Sequence, residues 1–410
     1  MYCTLVQRKV HDIMHTEAVK KIKYQKMKRL PLLKYCLTAV CFVYATVSFA
    51  AQQDPNWDSF VKKYGRYAEK KLTSKGIPGA ALSIVNLGNS DYIHAVGRTK
   101  ARNGQKVNVH TRFRLASVSK TFAGSLAAKL SSDGLIKLDS SVSNYLPDFI
   151  GTEYEENLKV YHLLSHSSGL VPNAYDNLIE SRMDYPDIVQ KLVTVKPICE
   201  PGICYGYQNV MFSLIDDVIL KSTNKDYSQW LNEGIFQPLD MIDASLGYEA
   251  MVVDSNYALP HVRGKKRWYT AKLKKNYYKV GPAAGVNASA SDMAIWLKAQ
   301  LGHYPEVLSL DALSKQTRPY TRTKKEMYRR VWKKQLHEAY YGLGWRVYNY
   351  DNETLYYHSG WVQGYRSDLV VFPHLNIGFS LVLNAETGLI NELTTEFINR
   401  LLTYKREQTI

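Results

Sequence analysis

Phe113-Arg114-Leu115-Ala116-Ser117-Val118-Ser119-Lys120-Thr121-Phe122 sets a serine three residues ahead of a lysine, at the head of an apolar run. On a helix, residues three apart share a face, so the Lys120 amine can lie over the Ser117 hydroxyl and take or relay its proton. The run that follows, with Phe122, Leu126 and Leu130 spaced along one face and Gly134 beyond them, predicts a helix that Gly134 closes. With Ser117 in its first turn, the Ser117 N–H is one of the donors that a helix start leaves unpaired. The positive end of the helix dipole favours a developing anion there. A serine and a lysine at this spacing recur by chance in chains of this length, so the pair does not fix the chemistry alone.

Two further segments narrow it. Tyr207-Gln208-Asn209 follows the breakers Glu200-Pro201-Gly202 and precedes a helical stretch from Val210 to Leu220. A tyrosine and an amide two apart on extended backbone point the same way. His358-Ser359-Gly360 follows the aromatic segment Leu355-Tyr356-Tyr357 and precedes Trp361-Val362-Gln363-Gly364-Tyr365. It reads as an edge strand whose glycine lets a substrate lie against the backbone.

Together the three segments resemble the serine β-lactamase and penicillin-binding-protein superfamily, whose signatures are Ser-x-x-Lys, Ser/Tyr-x-Asn and Lys/His-Thr/Ser-Gly. The tyrosine form of the second segment, and Leu-Ala-Ser-Val-Ser-Lys-Thr-Phe, are similar to the class C β-lactamases, D-alanyl-D-alanine carboxypeptidases and related esterases. Ile77-Pro78-Gly79, Leu163-Leu164-Ser165-His166-Ser167-Ser168-Gly169-Leu170, Phe236-Gln237-Pro238-Leu239 and Gly342-Leu343-Gly344-Trp345 extend the likeness over nearly all of the chain after the leader.

The resemblance implies roles. Ser117 attacks a carbonyl and forms an acyl-enzyme, while Lys120 and Tyr207 share the proton work. Either can be the base: a tyrosine of ordinary pKa near 10 needs a neighbouring cation, and a lysine near other positive charge loses its proton more easily. Asn209 holds Lys120 and binds the substrate's amide side chain. The oxyanion rests between the N–H groups of Ser117 and Trp361, and Ser359 meets a substrate carboxylate. His358 and Gly360 complete the substrate-binding strand. His358 stands where the lactamases usually carry lysine. An imidazole of pKa near 6.5 is mostly neutral at pH 7, which speaks against efficient antibiotic hydrolysis and for a D,D-carboxypeptidase, esterase or D-amino-acid amidase. Arg346 or Arg366, both close in sequence, is the expected replacement cation for a carboxylate. A penicillin sensor that does not turn over is the remaining reading. No cofactor and no metal is implied; His162 and His166 lie four apart, but without a third ligand they read as hydrogen-bonding residues.

The chain has 410 residues, 45% apolar, with a net charge of +16. Residues 1–50 differ in kind: Lys28, Arg29 and Lys34 precede an uncharged stretch from Tyr35 to Ala50 that ends in small residues. This predicts a leader with signal-peptidase cleavage near Ala50 and a true start at Met27, and hence a periplasmic or secreted protein. The leader holds nine basic and two acidic residues, which leaves 44 basic and 35 acidic in residues 51–410, or +9. The basic, aromatic runs Arg263 to Lys279 and Arg318 to Lys334 suit a solvated face, with weak contact to an anionic envelope surface as the next reading and nucleic acid set aside. Cys199 and Cys204, the two cysteines outside the leader, are expected to pair just ahead of Tyr207 in an oxidising compartment.

Hydrophobic periodicity predicts helices over Trp57–Lys75, Val160–Leu164, Pro186–Val193, Val210–Leu220, Tyr227–Glu233, Ser291–Leu301 and Leu389–Leu402, the Ser291 helix capped by Asp292 with Ser291. Strands are expected over Ala80–Val85, Tyr92–Val96, Tyr340–Asn349, Thr354–His358, Asp368–Phe372 and Ile377–Leu383. Strands at both ends with helices between imply an α/β (α+β) fold. An antiparallel sheet is built from both termini, flanked by helices, and an all-helical lobe is inserted. Residues 51–405 form one two-lobed, monomeric domain, with Trp345 in the core and Trp361 facing a small-molecule or peptide substrate.

Overall fold

The computed structural model describes residues 54–181, 183–332 and 334–408. The expected leader, with Met27 and the cleavage site near Ala50, lies outside the described residues. The described residues from 54 to 408 form one compact unit. No helix among the described residues is long and apolar enough to cross a membrane.

The strands are β1 (Gly79–Asn86), β2 (Tyr92–Gly97), β3 (Phe113–Arg114), β4 (Ser245–Leu246), β5 (His261–Arg263), β6 (Trp268–Thr270), β7 (Val286–Ala288), β8 (Thr321–Arg322), β9 (Leu336–Tyr341), β10 (Arg346–Tyr350), β11 (Glu353–Val362), β12 (Tyr365–Phe372) and β13 (Ile377–Leu383). Eight of them form one sheet in the order β2-β1-β13-β12-β11-β10-β9-β8. Every pairing in it is antiparallel, and β1 is joined to β13 from Ala80↔Leu383 to Asn86↔Ile377. Both of these strands are buried throughout, so the two ends of the domain meet inside the sheet, one strand in from the β2 edge.

Side chains alternate across a strand, and the sheet therefore has two cores. Ile84, Phe379 and Leu381 face α1 (Trp57–Ser74) and the C-terminal helix Leu389–Glu407, where Tyr64 and Phe397 pack edge to face. Val85, Leu369 and Val382 face α2 (Ser119–Ser132) and α3 (Ala290–Gln300). Phe122 of α2 stacks on Trp296 of α3, with centroids 4.0 Å apart. Short helices between Val160 and Leu231 form the helical lobe beyond α2.

Several boundaries differ from the sequence reading, each for a local reason. The expected strand Tyr340–Asn349 is two strands, β9 and β10, because Gly342-Leu343-Gly344 turns against α2. A Cβ on Gly124 would overlap the Leu343 carbonyl, and Gly344, at φ +74°, has no room for a Cβ beside the Lys120 carbonyl. The expected helix Val210–Leu220 is broken at Leu214 into Asn209–Ser213 and Ile215–Thr223. The cap of α3 is Ser289, not Ser291: the Ser289 hydroxyl accepts from the Asp292 N–H while the Asp292 carboxylate accepts from Ser289. β11 is an interior strand rather than an edge, although its second half is free on one side. Trp345 is fully buried. In the basic runs, Arg263 lies over Trp268 and Arg318 over Tyr320.

Candidate active site

Ser117 does not sit inside α2. It lies in a 3-10 turn, Ala116–Val118, that runs directly into the helix, so Lys120 still follows one turn later. Ala116 has φ +49°, a left-handed conformation uncommon for a residue with a Cβ. Such a kink persists only where its surroundings over-determine it. Here the Leu115 N–H bonds to the Val286 carbonyl at 3.0 Å, the Leu115 carbonyl accepts from the Ser367 hydroxyl at 2.5 Å, and the Ser119 hydroxyl accepts from the Val286 N–H at 2.9 Å. None of these bonds uses the Ser117 side chain.

Lys120 is fully buried. Its Nζ donates to Asn209 Oδ1 at 2.7 Å and to the Ala283 carbonyl at 3.0 Å, and stands 4.7 Å from the Tyr207 ring centroid. The Ser117 hydroxyl lies close enough to the Tyr207 phenol to lower its pKa. The structure thus brings Ser117, Lys120, Tyr207 and Asn209 together from segments about ninety residues apart in sequence.

Burial disfavours the charged form of each group. It holds the Lys120 amine well below the ordinary lysine range, with Arg346 adding to the effect and Asp176 opposing it. It pushes the Tyr207 phenol up, although the nearby Ser117 hydroxyl and the charge of Arg346 act the other way.

Asp176 is a member of the cluster that sequence reasoning missed. Its carboxylate accepts from Asn209 Nδ2 at 2.9 Å and so fixes which face of the amide meets Lys120. Burial raises its pKa, offset by Asn209 and Lys120. Nothing in its neighbourhood, Tyr175-Asp176-Asn177, signals a link to a residue 33 positions on.

Tyr207 is placed by the loop before it. Cys199 and Cys204 form a disulfide with Cα atoms 6.4 Å apart. The loop is pinned to residues 166–169 by Ile198 N–H to Gly169 O, Gly202 N–H to Ser167 O and Gly206 N–H to His166 O. His166 Nδ1 accepts from the Gln208 N–H at 3.2 Å, and His162 Nδ1 accepts from the Lys159 N–H at 3.0 Å. Both histidines serve as backbone acceptors. No metal-holding cluster occurs among the described residues.

The third segment lies on β11. Pairing with β10 ends at Arg346↔Tyr357, while pairing with β12 runs on to Val362↔Tyr365. Residues 358–362 therefore leave β10 and pack along the Ser117 turn. A Cβ on Gly360 would overlap both the Leu115 carbonyl and the Ser367 hydroxyl. Gly360→Ala is accordingly expected to push the strand off the turn, lowering stability by about 1–3 kcal/mol and activity with it. Thermal unfolding of the purified variant checks the first effect.

His358 is 1% exposed. The Ser359 carbonyl, 2.9 Å from Nδ1, can only accept, so Nδ1 carries the proton and Nε2 accepts from the Tyr341 hydroxyl at 2.7 Å. Burial, with Arg346 and Lys120 nearby, depresses the imidazole's pKa and keeps it neutral. Both ring nitrogens are thus spent inside the protein. Ser359 is half-buried, and Trp361 is 62% exposed with Nε1 donating to Glu386 at 2.9 Å.

The expectation for Arg346 is corrected. It is buried, pairs with Glu326 at 3.0 Å and lies over the Tyr341 ring, so it charges the floor of the site instead of meeting a carboxylate. Arg366 is half-buried and its Nη2 is spent on Asn391 at 3.4 Å.

The beta-lactamase family model matches residues 61–399. The chain belongs to that family. It is 26% identical over 280 residues to a beta-lactamase of Yersinia enterocolitica, covering 68% of this chain and 67% of that protein. It is 23% identical over 350 residues to protein flp of Staphylococcus aureus, covering 83% of this chain and 66% of that protein. The chain thus spans about two thirds of the length of these relatives. Among solved structures, a class C beta-lactamase superposes with a TM-score of 0.70 at 19% identity, over 86% of this chain and 99% of that one. The octameric penicillin-binding protein homologue of Pyrococcus abyssi gives 0.70 at 21% identity, over 80% and 74%. At these identities the superpositions establish the fold, a mixed α/β architecture with a large antiparallel sheet flanked by helices.

Proposed function

We propose that this member of the beta-lactamase family is an exported serine hydrolase that works through an acyl-enzyme on Ser117, with β-lactams or D-alanyl-D-alanine-type peptides as substrates. The observation that carries the reading is Lys120. Two of its N–H groups are spent on Asn209 and Ala283, and its pKa is depressed by burial. A neutral amine held this way has one lone pair left, and Ser117 lies one turn back, in the 3-10 turn that leads into α2. Lys120 is then the base that takes the Ser117 proton, and Tyr207, whose phenol burial keeps protonated, gives its proton to the leaving group and is reprotonated from Lys120. The tetrahedral oxyanion lies between the N–H groups of Ser117 and Trp361. Asn209 orients both Lys120 and the substrate amide, and His358 holds Ser359 and Gly360 in line.

A second reading, an esterase or D-amino-acid amidase, is favoured by the buried, neutral His358, which leaves that position without a permanent cation. Export is supported by the charged, then apolar leader and by the Cys199–Cys204 bridge, which suits an oxidising compartment. Contact with an anionic envelope surface, through the basic, aromatic runs, belongs to the same reading.

Intact mass after exposure to a penicillin, run beside turnover of a D-alanyl-D-alanine peptide and a short-chain ester, separates the outcomes. A lasting adduct on Ser117 with peptide turnover supports the carboxypeptidase, and an adduct lost rapidly supports the lactamase. Ester turnover without an adduct supports the second reading; no adduct and no turnover would overturn both.

A further inference from the structure

A cavity of about 320 Å³ opens beside Trp361. Its wall includes Arg114, Lys272, Lys274, Tyr277, Glu180 and Glu386. Arg114 is three residues before Ser117 and 4% exposed; it lies 3.7 Å over the Tyr278 ring and donates from Nη1 to the Lys274 carbonyl at 3.1 Å. Its Nε and Nη2 are buried with no hydrogen-bond partner among the described residues. A buried guanidinium with two idle donors is costly unless an anion nearby repays it. Of the two carboxylates, Glu386 is spent on Trp361 Nε1 and the Gly364 N–H, and Glu180 accepts from Asn276 at 2.9 Å. Lys272 and Lys274 are exposed and form no ion pair among the described residues. Three cations against two carboxylates leave one net positive charge, which suits a monoanion.

We infer that this cavity is the subsite for a carboxylate carried by the substrate, with Lys272 and Lys274 as its direct contacts and Arg114 as the buried charge behind them. The inference rests on the proposed function only for what is bound, since Trp361 both borders the cavity and supplies the second oxyanion N–H in that reading. It also accounts for how a chain with a neutral His358 and an inward Arg346 would meet an anionic substrate: the cation has moved from the motif strand to the Lys272–Lys274 segment.

The test is binding, so that it survives failure of the catalytic reading. In Ser117→Ala protein, two phenyl esters of equal length are titrated by tryptophan fluorescence, one with an acyl chain ending in a carboxylate and the other in its methyl ester. The carboxylate probe is expected to bind about tenfold more tightly at low salt, with the preference shrinking at 0.5 M salt, roughly, because exposed charges are screened beyond a few ångströms there. Lys272→Gln/Lys274→Gln in the same background is expected to bring the ratio near one. Equal affinity for the two probes, or a preference that survives the double substitution, would overturn the subsite. In active protein the same ratio should appear in kcat/KM; turnover of neither ester, with the binding ratio intact, overturns the catalytic reading and leaves the subsite standing.

Discussion

Ser117→Ala is expected to lower turnover of any substrate the protein accepts by roughly 10⁴-fold or more, the scale seen when a nucleophile that acts as part of a unit is removed. The folded state should hardly notice. The turn that carries Ser117 is fixed by Leu115, Ser119 and Ser367, and the lost hydroxyl is half-buried beside the Tyr207 phenol. Losing one polar contact of this kind costs at most about 1 kcal/mol. Matched unfolding curves with the loss of both the penicillin adduct and turnover are therefore the expected result. Turnover persisting near the wild-type rate would mean that the reacting oxygen lies elsewhere.

The features legible in the sequence are those that local chemistry imposes. The β1–β2 hairpin and β13 declare themselves through short β-rich runs bounded by turn residues, and the pairing of β1 with β13 follows from having strands at both ends. Ser117, Lys120, Tyr207 and Asn209 stood out because each lies in a short motif, and the structure converges them. What stayed hidden depends on contacts distant in sequence. Gly342–Gly344 reads as part of a strand until α2, some 220 residues earlier, is seen to need its backbone there. Asp176 is an ordinary helix-start acid until Asn209 arrives beside it. Arg346 looks available by its closeness to His358, yet strand alternation and Glu326 turn it inward. In each case the sequence specifies the residue while a second segment specifies its direction.

Lys120→Met is the sharper test of the proton route. Methionine keeps the length and lack of branching of the stem, so α2 should pack as before. The Asn209 amide oxygen and the Ala283 carbonyl lose their donor, at about 1–3 kcal/mol for each group left unpaired, while the cost of burying an amine disappears. Stability is thus expected to change modestly, whereas kcat/KM should fall by about 10²–10⁴-fold, the range for a lost general base. The pH dependence gives the sign. Burial depresses the folded-state pKa of Lys120 below that of the unfolded chain. Between those two values the unfolded chain binds the extra proton, so stability climbs as pH rises through the window and the penalty is complete once pH falls below the folded value. Activity should follow the same group: kcat/KM rises with pH through an apparent pKa below the ordinary lysine value, as the free amine becomes able to accept the Ser117 proton. In Lys120→Met that limb should vanish, leaving a low, flat profile. Should the variant keep the wild-type limb at reduced height, the titrating base would be another group, and Lys120 would be a positioning residue that holds Asn209 in line.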